Sequence, residues 1–109
     1  MSIHSEGERL AAAHHLEVTV YSRPGCHLCE EAKTVLQPLL TEFGCALREV
    51  NIDLVTELAE RYSWDIPVIF IGSHKAAKHR IDPAQFRRQL QEARAEAAAA
   101  KQQNQANAD

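Results

Sequence analysis

Two hydrophobic rhythms alternate along this chain. In EVTVYS, residues 17–22, Val18 and Val20 alternate with Thr19 and Tyr21, and β-branched and aromatic residues dominate, so the segment predicts a strand. Pro24-Gly25 breaks it. From Leu28 the apolar positions are Leu28, Ala32, Val35, Leu36, Leu39, Leu40 and Phe43, which fall on one face of a 3.6-residue helix. The spacing predicts a helix over 27–43 that ends at Gly44. Pro38 should bend it, because proline removes the backbone bond to the Thr34 carbonyl. Strand alternation returns in ALREVNI, 46–52, with Leu47, Val50 and Ile52 as the apolar members. Asp53 is then placed to cap a second helix through about Tyr62, with Leu54, Leu58 and Tyr62 on one face.

The second half closes a sheet. PVIFI, 67–71, is a near-continuous apolar run that suits a central strand buried on both faces. Gly72-Ser73 is a hairpin signal, and HKAAKH behind it predicts a polar strand whose lysines suit an edge. Asp82, Pro83 and Gln85 make a capping box with proline at the first helical position. Phe86, Leu90 and Ala93 mark the buried stripe of the helix that follows. After Arg94 the chain has little left to bury and is expected to fray, leaving 97–109 as a tail. Residues 1–15 show no clear period and are expected to form a loosely held tail. The sum is an α/β chain, β-α-β-α-β-β-α over residues 16–96. A right-handed βαβ crossover and an antiparallel hairpin give a four-stranded mixed sheet with helices on both faces.

Composition narrows the setting. One domain of 109 residues has 45% hydrophobic and 25% charged residues, the ordinary globular balance. A net charge of −3 and a pI near 6.0 give no footprint for nucleic acid. No apolar run approaches the ~18 residues of a membrane span, and the N-terminus has no signal-peptide pattern. Three cysteines are too few for a disulfide-held secreted scaffold, so a cytoplasmic location is expected.

Two of those cysteines carry the chemistry. Cys26 falls at the mouth of the first helix and Cys29 one turn inside it. A helix N-terminus presents unsatisfied N–H groups and about half a positive charge, which favours a thiolate. That position makes Cys26 the candidate nucleophile and Cys29 the thiol that resolves a mixed disulfide. Arg23, and His27 when protonated, add positive charge, whereas Glu30 and Glu31 oppose it. Zinc chemistry wants a second ligand pair, which the chain lacks. His74, His79 and His14-His15 read as solvated surface, HKAAKHR as an edge strand and loop in preference to a binding patch, Cys45 as a small half-buried residue, and Trp64 as a half-buried loop anchor in preference to a lid over the cysteines.

A strand ending VTVYSRPGCHLC, a helix, a strand, a helix, then DIPVIFI and a hairpin resemble a glutaredoxin of the thioredoxin-fold superfamily, in its short C-x-x-C form. The resemblance covers residues 17–95. It implies a cis Ile66–Pro67 bond packed against the cysteines, with the Ile66 backbone free to pair with a substrate chain beside Cys26. The chain departs from the family's Pro-Tyr between the cysteines, which is His27-Leu28 here, and from its Thr-Val-Pro, which is Asp65-Ile66-Pro67. Where the family has a Gly-Gly pair that helps hold glutathione, this chain reads KHRID, 78–82. Side chains there make close backbone approach harder, and Arg80 or Lys78 is the alternative carboxylate contact.

The expected site is therefore Cys26 and Cys29 as catalytic pair, with Arg23, His27, Ile66, Pro67 and Arg80 contacting substrate. The expected activity is thiol–disulfide exchange on a protein or small-molecule disulfide, by a monomer without organic cofactor or metal. Glutathione or a thioredoxin-reductase-like partner would supply electrons. Two other readings stay open: an iron–sulfur or soft-metal carrier through the same cysteines, and an interaction module that no longer turns over.

Overall fold

The computed structural model describes the backbone of residues 16–108 and the side chains of residues 16–99. The expected N-terminal tail lies outside the described residues except at its junction with Leu16. In chain order the elements are β1 (Glu17–Ser22), α1 (His27–Phe43), β2 (Ala46–Asn51), a 3-10 turn (Ile52–Leu54), α2 (Thr56–Tyr62), β3 (Val68–Ile71), β4 (His74–Lys78) and α3 (Pro83–Ala108). One four-stranded sheet has the order β2-β1-β3-β4. β1 runs parallel to β2, in register from Glu17 opposite Ala46 to Ser22 opposite Asn51. β3 is antiparallel to both β1 and β4, with a bulge against β4 between Ile69 and Phe70. No helix among the described residues is long and apolar enough to cross a membrane.

Alternation along the central strands builds two cores. Val18, Val20, Ile69 and Ile71 face α1 and α3, where Leu36, Leu39, Leu40, Phe43, Phe86 and Leu90 cover them. Val68, Tyr21 and Phe70 face the other way, against Ile52, Leu58, Ile66 and Tyr62. Each fully buried Leu, Ile or Phe removes enough apolar surface from water to stabilise the fold by about 1.5–3 kcal/mol. Helices therefore cover both faces, as the apolar periods predict.

α1 spans its expected range with Pro38 inside it, and Gly44 ends it in the left-handed conformation, φ 66°. Glycine reaches this conformation without a Cβ clash, and its N–H turns back toward the Leu40 and Thr41 carbonyls. Asp82 caps α3 through Oδ1, which accepts from the Ala84 and Gln85 amides at 3.1 and 3.4 Å.

Four expectations change. β2 ends at Asn51, and as an edge strand it leaves Leu47 38% exposed; Ile52, fully buried, belongs to the 3-10 turn. Asp53 does not cap α2. The Asn51 side chain accepts from the Asp53 amide at 2.9 Å and starts the 3-10 turn, while the Asp53 carboxylate is held by Arg23. Leu54 consequently points outward at 80% exposure instead of joining Leu58 and Tyr62. Finally, the α3 backbone continues through Ala108 instead of losing its order after Arg94; its AEAAAA run is rich in alanine, the residue of highest helix propensity.

Candidate functional site

The path from β1 into α1 brings the two cysteines together. Pro24 and Gly25 make a tight turn in which Gly25 takes φ 80°, and the Cys26 amide donates to the Arg23 carbonyl at 3.2 Å. A Cβ at Gly25 would meet nothing within 4 Å, so glycine is needed there for its backbone conformation and not for space. Cys26 is then the N-cap of α1, with φ −84° and ψ 110°, and its Sγ accepts the Cys29 amide at 3.1 Å. Cys26 and Cys29 are joined as a disulfide with Cα atoms 5.2 Å apart. Cys26 is partly exposed, whereas Cys29 is 1% exposed. Attack from outside can reach only the first of them.

The charges near the pair are largely matched. Arg23 directs its guanidinium to Asp53 and Ser63: Nη2 meets Asp53 Oδ1 at 2.8 Å and Ser63 Oγ at 3.2 Å, and Nε meets both Asp53 oxygens. These hydrogen bonds hold the Asp53 carboxyl below the usual carboxylate range and raise Arg23. Glu30 pairs with Lys33 at 2.9 Å, and Glu31 faces Arg80 at 3.6 Å and His27 at 3.9 Å. Lys33 also bonds Glu49 at 3.0 Å, and Ser22 Oγ donates to the same carboxylate at 2.9 Å. The Lys33 hydrogen bond, aided by Ser22, holds Glu49 below its ordinary value against the push of burial. Glu30 and Glu31 thus have cationic neighbours, and the aligned amides of α1 favour negative charge at Cys26.

The loop before β3 carries the other expected site residues. Ile66–Pro67 is cis, as the resemblance implies, and Pro67 is buried. The Ile66 N–H is not free: it donates to the Tyr62 carbonyl at 3.2 Å, as the Asp65 amide does at 2.9 Å, because the end of α2 tightens into a turn. Trp64 is no half-buried anchor. Its ring is 92% exposed, since its backbone closes that turn and aims the side chain outward. His79 is no plain surface residue either. Half-buried and at φ 68°, it donates its amide to the Pro67 carbonyl at 2.8 Å, and its Nε2 lies 3.0 Å from the Trp64 carbonyl. Lys78 pairs with Asp65 at 3.7 Å, so both cations once considered for a carboxylate contact have acidic neighbours. His27 is almost fully exposed at the helix start.

The structure thus gathers Cys26, Cys29, Arg23 and His27 at the start of α1, while Arg80 reaches its second turn through Glu31. Ile66 and Pro67 lie on the neighbouring loop. Asp53, Ser63, Lys33 and Glu49 were missed by sequence reasoning, because nothing local says which carboxylate meets which cation. His79 did carry a signal: histidine is among the few residues enriched in the left-handed region, and it occupies the stretch where glycines are usual in the family. Cys26 and Cys29 are two soft ligands, but among the described residues no three His, Cys, Asp or Glu side chains cluster to hold a metal ion.

The Glutaredoxin-like domain (DUF836) family model matches residues 17–91, which spans every element from β1 into α3. The chain belongs to this family. A glutaredoxin-like protein of Dictyostelium discoideum, a YDR286C homolog, is 30% identical over 73 residues, covering 62% of this chain and 68% of that one. The solution structure of protein Ne2328 from Nitrosomonas europaea is 31% identical with a TM-score of 0.57, covering 65% of this chain and 86% of that one. Mitochondrial thioredoxin 3 of Saccharomyces cerevisiae, at 14% identity and a TM-score of 0.57, covers 81% of this chain and 88% of that one, and shares the thioredoxin fold. This glutaredoxin-like chain keeps the paired cysteines and the cis proline of that fold, with its own residues at His27-Leu28 and at His79.

Proposed function

We propose that the protein is a dithiol thiol–disulfide oxidoreductase. The observation that carries this reading is Cys26 at the N-cap of α1 with its Sγ receiving the Cys29 amide at 3.1 Å. In the reduced protein the same amide and the helix end stabilise a thiolate, which is the reactive species. The Cys26 thiolate attacks one sulfur of a substrate disulfide. That S–S bond breaks, a Cys26–substrate disulfide forms, and the other substrate sulfur leaves as a thiolate that takes a proton from water. Cys29, deprotonated in its turn, attacks Cys26 Sγ; the Cys26–Cys29 disulfide closes and the second substrate thiol is released. Two electrons pass from the cysteine pair to the substrate. Two molecules of glutathione, which leave as glutathione disulfide, or a thioredoxin-reductase-like protein restore the pair, and no organic cofactor is needed. The expected setting is the cytoplasm and the expected working form is a monomer.

Trapping tests the assignment of roles. Cys26→Ser should reduce disulfide reduction to background, and Cys29→Ser should accumulate a mixed disulfide on Cys26, read as an intact mass increase. Full turnover without Cys26 would sink the proposal.

A further inference from the structure

Trp64 and His79 have no part in the exchange chemistry, yet both belong to segments linked to the start of α1. Trp64 is the protein's sole tryptophan and is 92% exposed, the most exposed large apolar side chain among the described residues. Leu54 follows at 80%. Both lie on segments tied to Arg23, whose guanidinium bonds Asp53, next to Leu54, and Ser63, next to Trp64. The Arg23 carbonyl in turn receives the Cys26 amide at 3.2 Å. Two outward apolar groups therefore belong to segments tied to the residue that holds the Cys26 amide, and His79 lines one cavity with Leu28, which lies between the cysteines, and Glu31. Burial of the outward apolar surface against a second chain would be favourable.

His79 explains how one of them is held there. A carbonyl oxygen only accepts, so the His79 Nε2 that lies 3.0 Å from the Trp64 carbonyl carries a proton and donates. The His79 amide donates to Pro67 at 2.8 Å, so one residue clasps both ends of the Trp64–Pro67 segment. It does so at φ 68°, where glycine would sit without the steric cost that a side chain incurs. An unfavourable backbone conformation kept by a residue whose side chain clasps the next loop marks a positioning role.

We propose that His79 fixes this segment so that the Trp64 ring contacts the apolar residues flanking a disulfide in a protein substrate, making the site selective for protein over small-molecule disulfides. The occupant follows from continuity with Cys26: a small disulfide ends at the sulfurs, whereas a protein disulfide brings chain on either side of them. The inference rests on the proposed oxidoreductase activity.

The test compares insulin, as a protein disulfide, with hydroxyethyl disulfide, as a small one, under dithiothreitol turnover. Trp64→Ala is expected to lower the ratio of kcat/KM for insulin to that for hydroxyethyl disulfide about tenfold, mainly through KM. His79→Gly should lower the same ratio, and His79→Gln, which keeps an amide donor, should restore part of it. In the Cys29→Ser protein, acrylamide quenching of Trp64 fluorescence should fall severalfold in the insulin mixed disulfide and little in the hydroxyethyl one. An unchanged ratio in Trp64→Ala, or equal quenching in both adducts, overturns the inference while the oxidoreductase reading stands. If the unaltered protein reduces neither probe, that reading itself fails and takes the inference with it.

Discussion

The two ends of α1 each present a cysteine, and their surroundings set them apart. At the start, Cys26 is partly exposed, caps the helix and receives the Cys29 amide at its sulfur. Past the end, Cys45 follows the left-handed Gly44, donates its amide to the Leu40 carbonyl at 2.9 Å and packs against the main core. Burial pushes its thiol up, and the nearby Arg94 offsets only part of that. Arg94 meanwhile donates to the Phe43 carbonyl and lies 5.1 Å over the Phe43 ring, so its charge answers the helix end as well as the thiol. The same side chain caps a helix and receives an amide at its sulfur in one place, and is a packing group whose thiol burial pushes up in the other. Chemical type alone does not make a reactive cysteine.

Shortening the packing between the two ends gives the largest expected effect. Leu36 is fully buried midway along α1, and Leu36→Ala should cost about 3 kcal/mol in denaturant unfolding. The alkylation behaviour of Cys26 should persist in the folded fraction, because the cap is local. A collapse of both together would show that the reactivity of Cys26 depends on the whole core. Direct labelling sharpens the contrast next. In the reduced protein, iodoacetamide should modify Cys26 with an inflection below about pH 7.5 and Cys45 with one above the ordinary thiol value, so Cys26 should label several-fold faster at pH 7. Peptide mass after timed quenching reads both sites at once, and equal rates would erase the distinction.

Gly44→Ala comes third. It places a Cβ on φ 66° and should lower stability by about 1–2 kcal/mol without changing the Cys26 inflection. The smallest effect concerns acid. Glu49 has a depressed folded pKa, so its pairing with Lys33 contributes stability that is present above the unfolded carboxyl value of about 4.3 and is lost as pH falls through the lower folded value. Lys33→Met should therefore lower stability at pH 7 more than at pH 2, by well under about 1 kcal/mol since both groups reach solvent. Equal loss at both pH values would assign the effect to the methylenes of Lys33.

Much of this was readable in the chain. EVTVYS and VIFI formed strands because alternation and β-branching act locally, and the run from Leu28 to Phe43 formed α1 because seven apolar residues share one face. The cysteines could be placed at the helix start from the Pro24-Gly25 break and the apolar period that begins at Leu28. The second helix was misread because Asp53 and Asn51 are both competent caps within three residues, and the choice fell to Arg23, 30 residues away. Trp64 was misread because a large aromatic residue is usually covered, and whether anything covers it depends on partners distant in sequence.

By itself, then, the sequence determined the elements and the thiol pair at the mouth of α1, since both follow from spacings shorter than two helical turns. Tertiary structure decided the rest. It sent Arg23 to Asp53 and Ser63, matched Glu30 and Glu31 with cations, took up the Ile66 amide in the turn that ends α2, and let His79 clasp the loop that carries Trp64. Most of these arrangements join groups that only the folded sheet and its helices bring within hydrogen-bond or ion-pair reach. No local propensity records them.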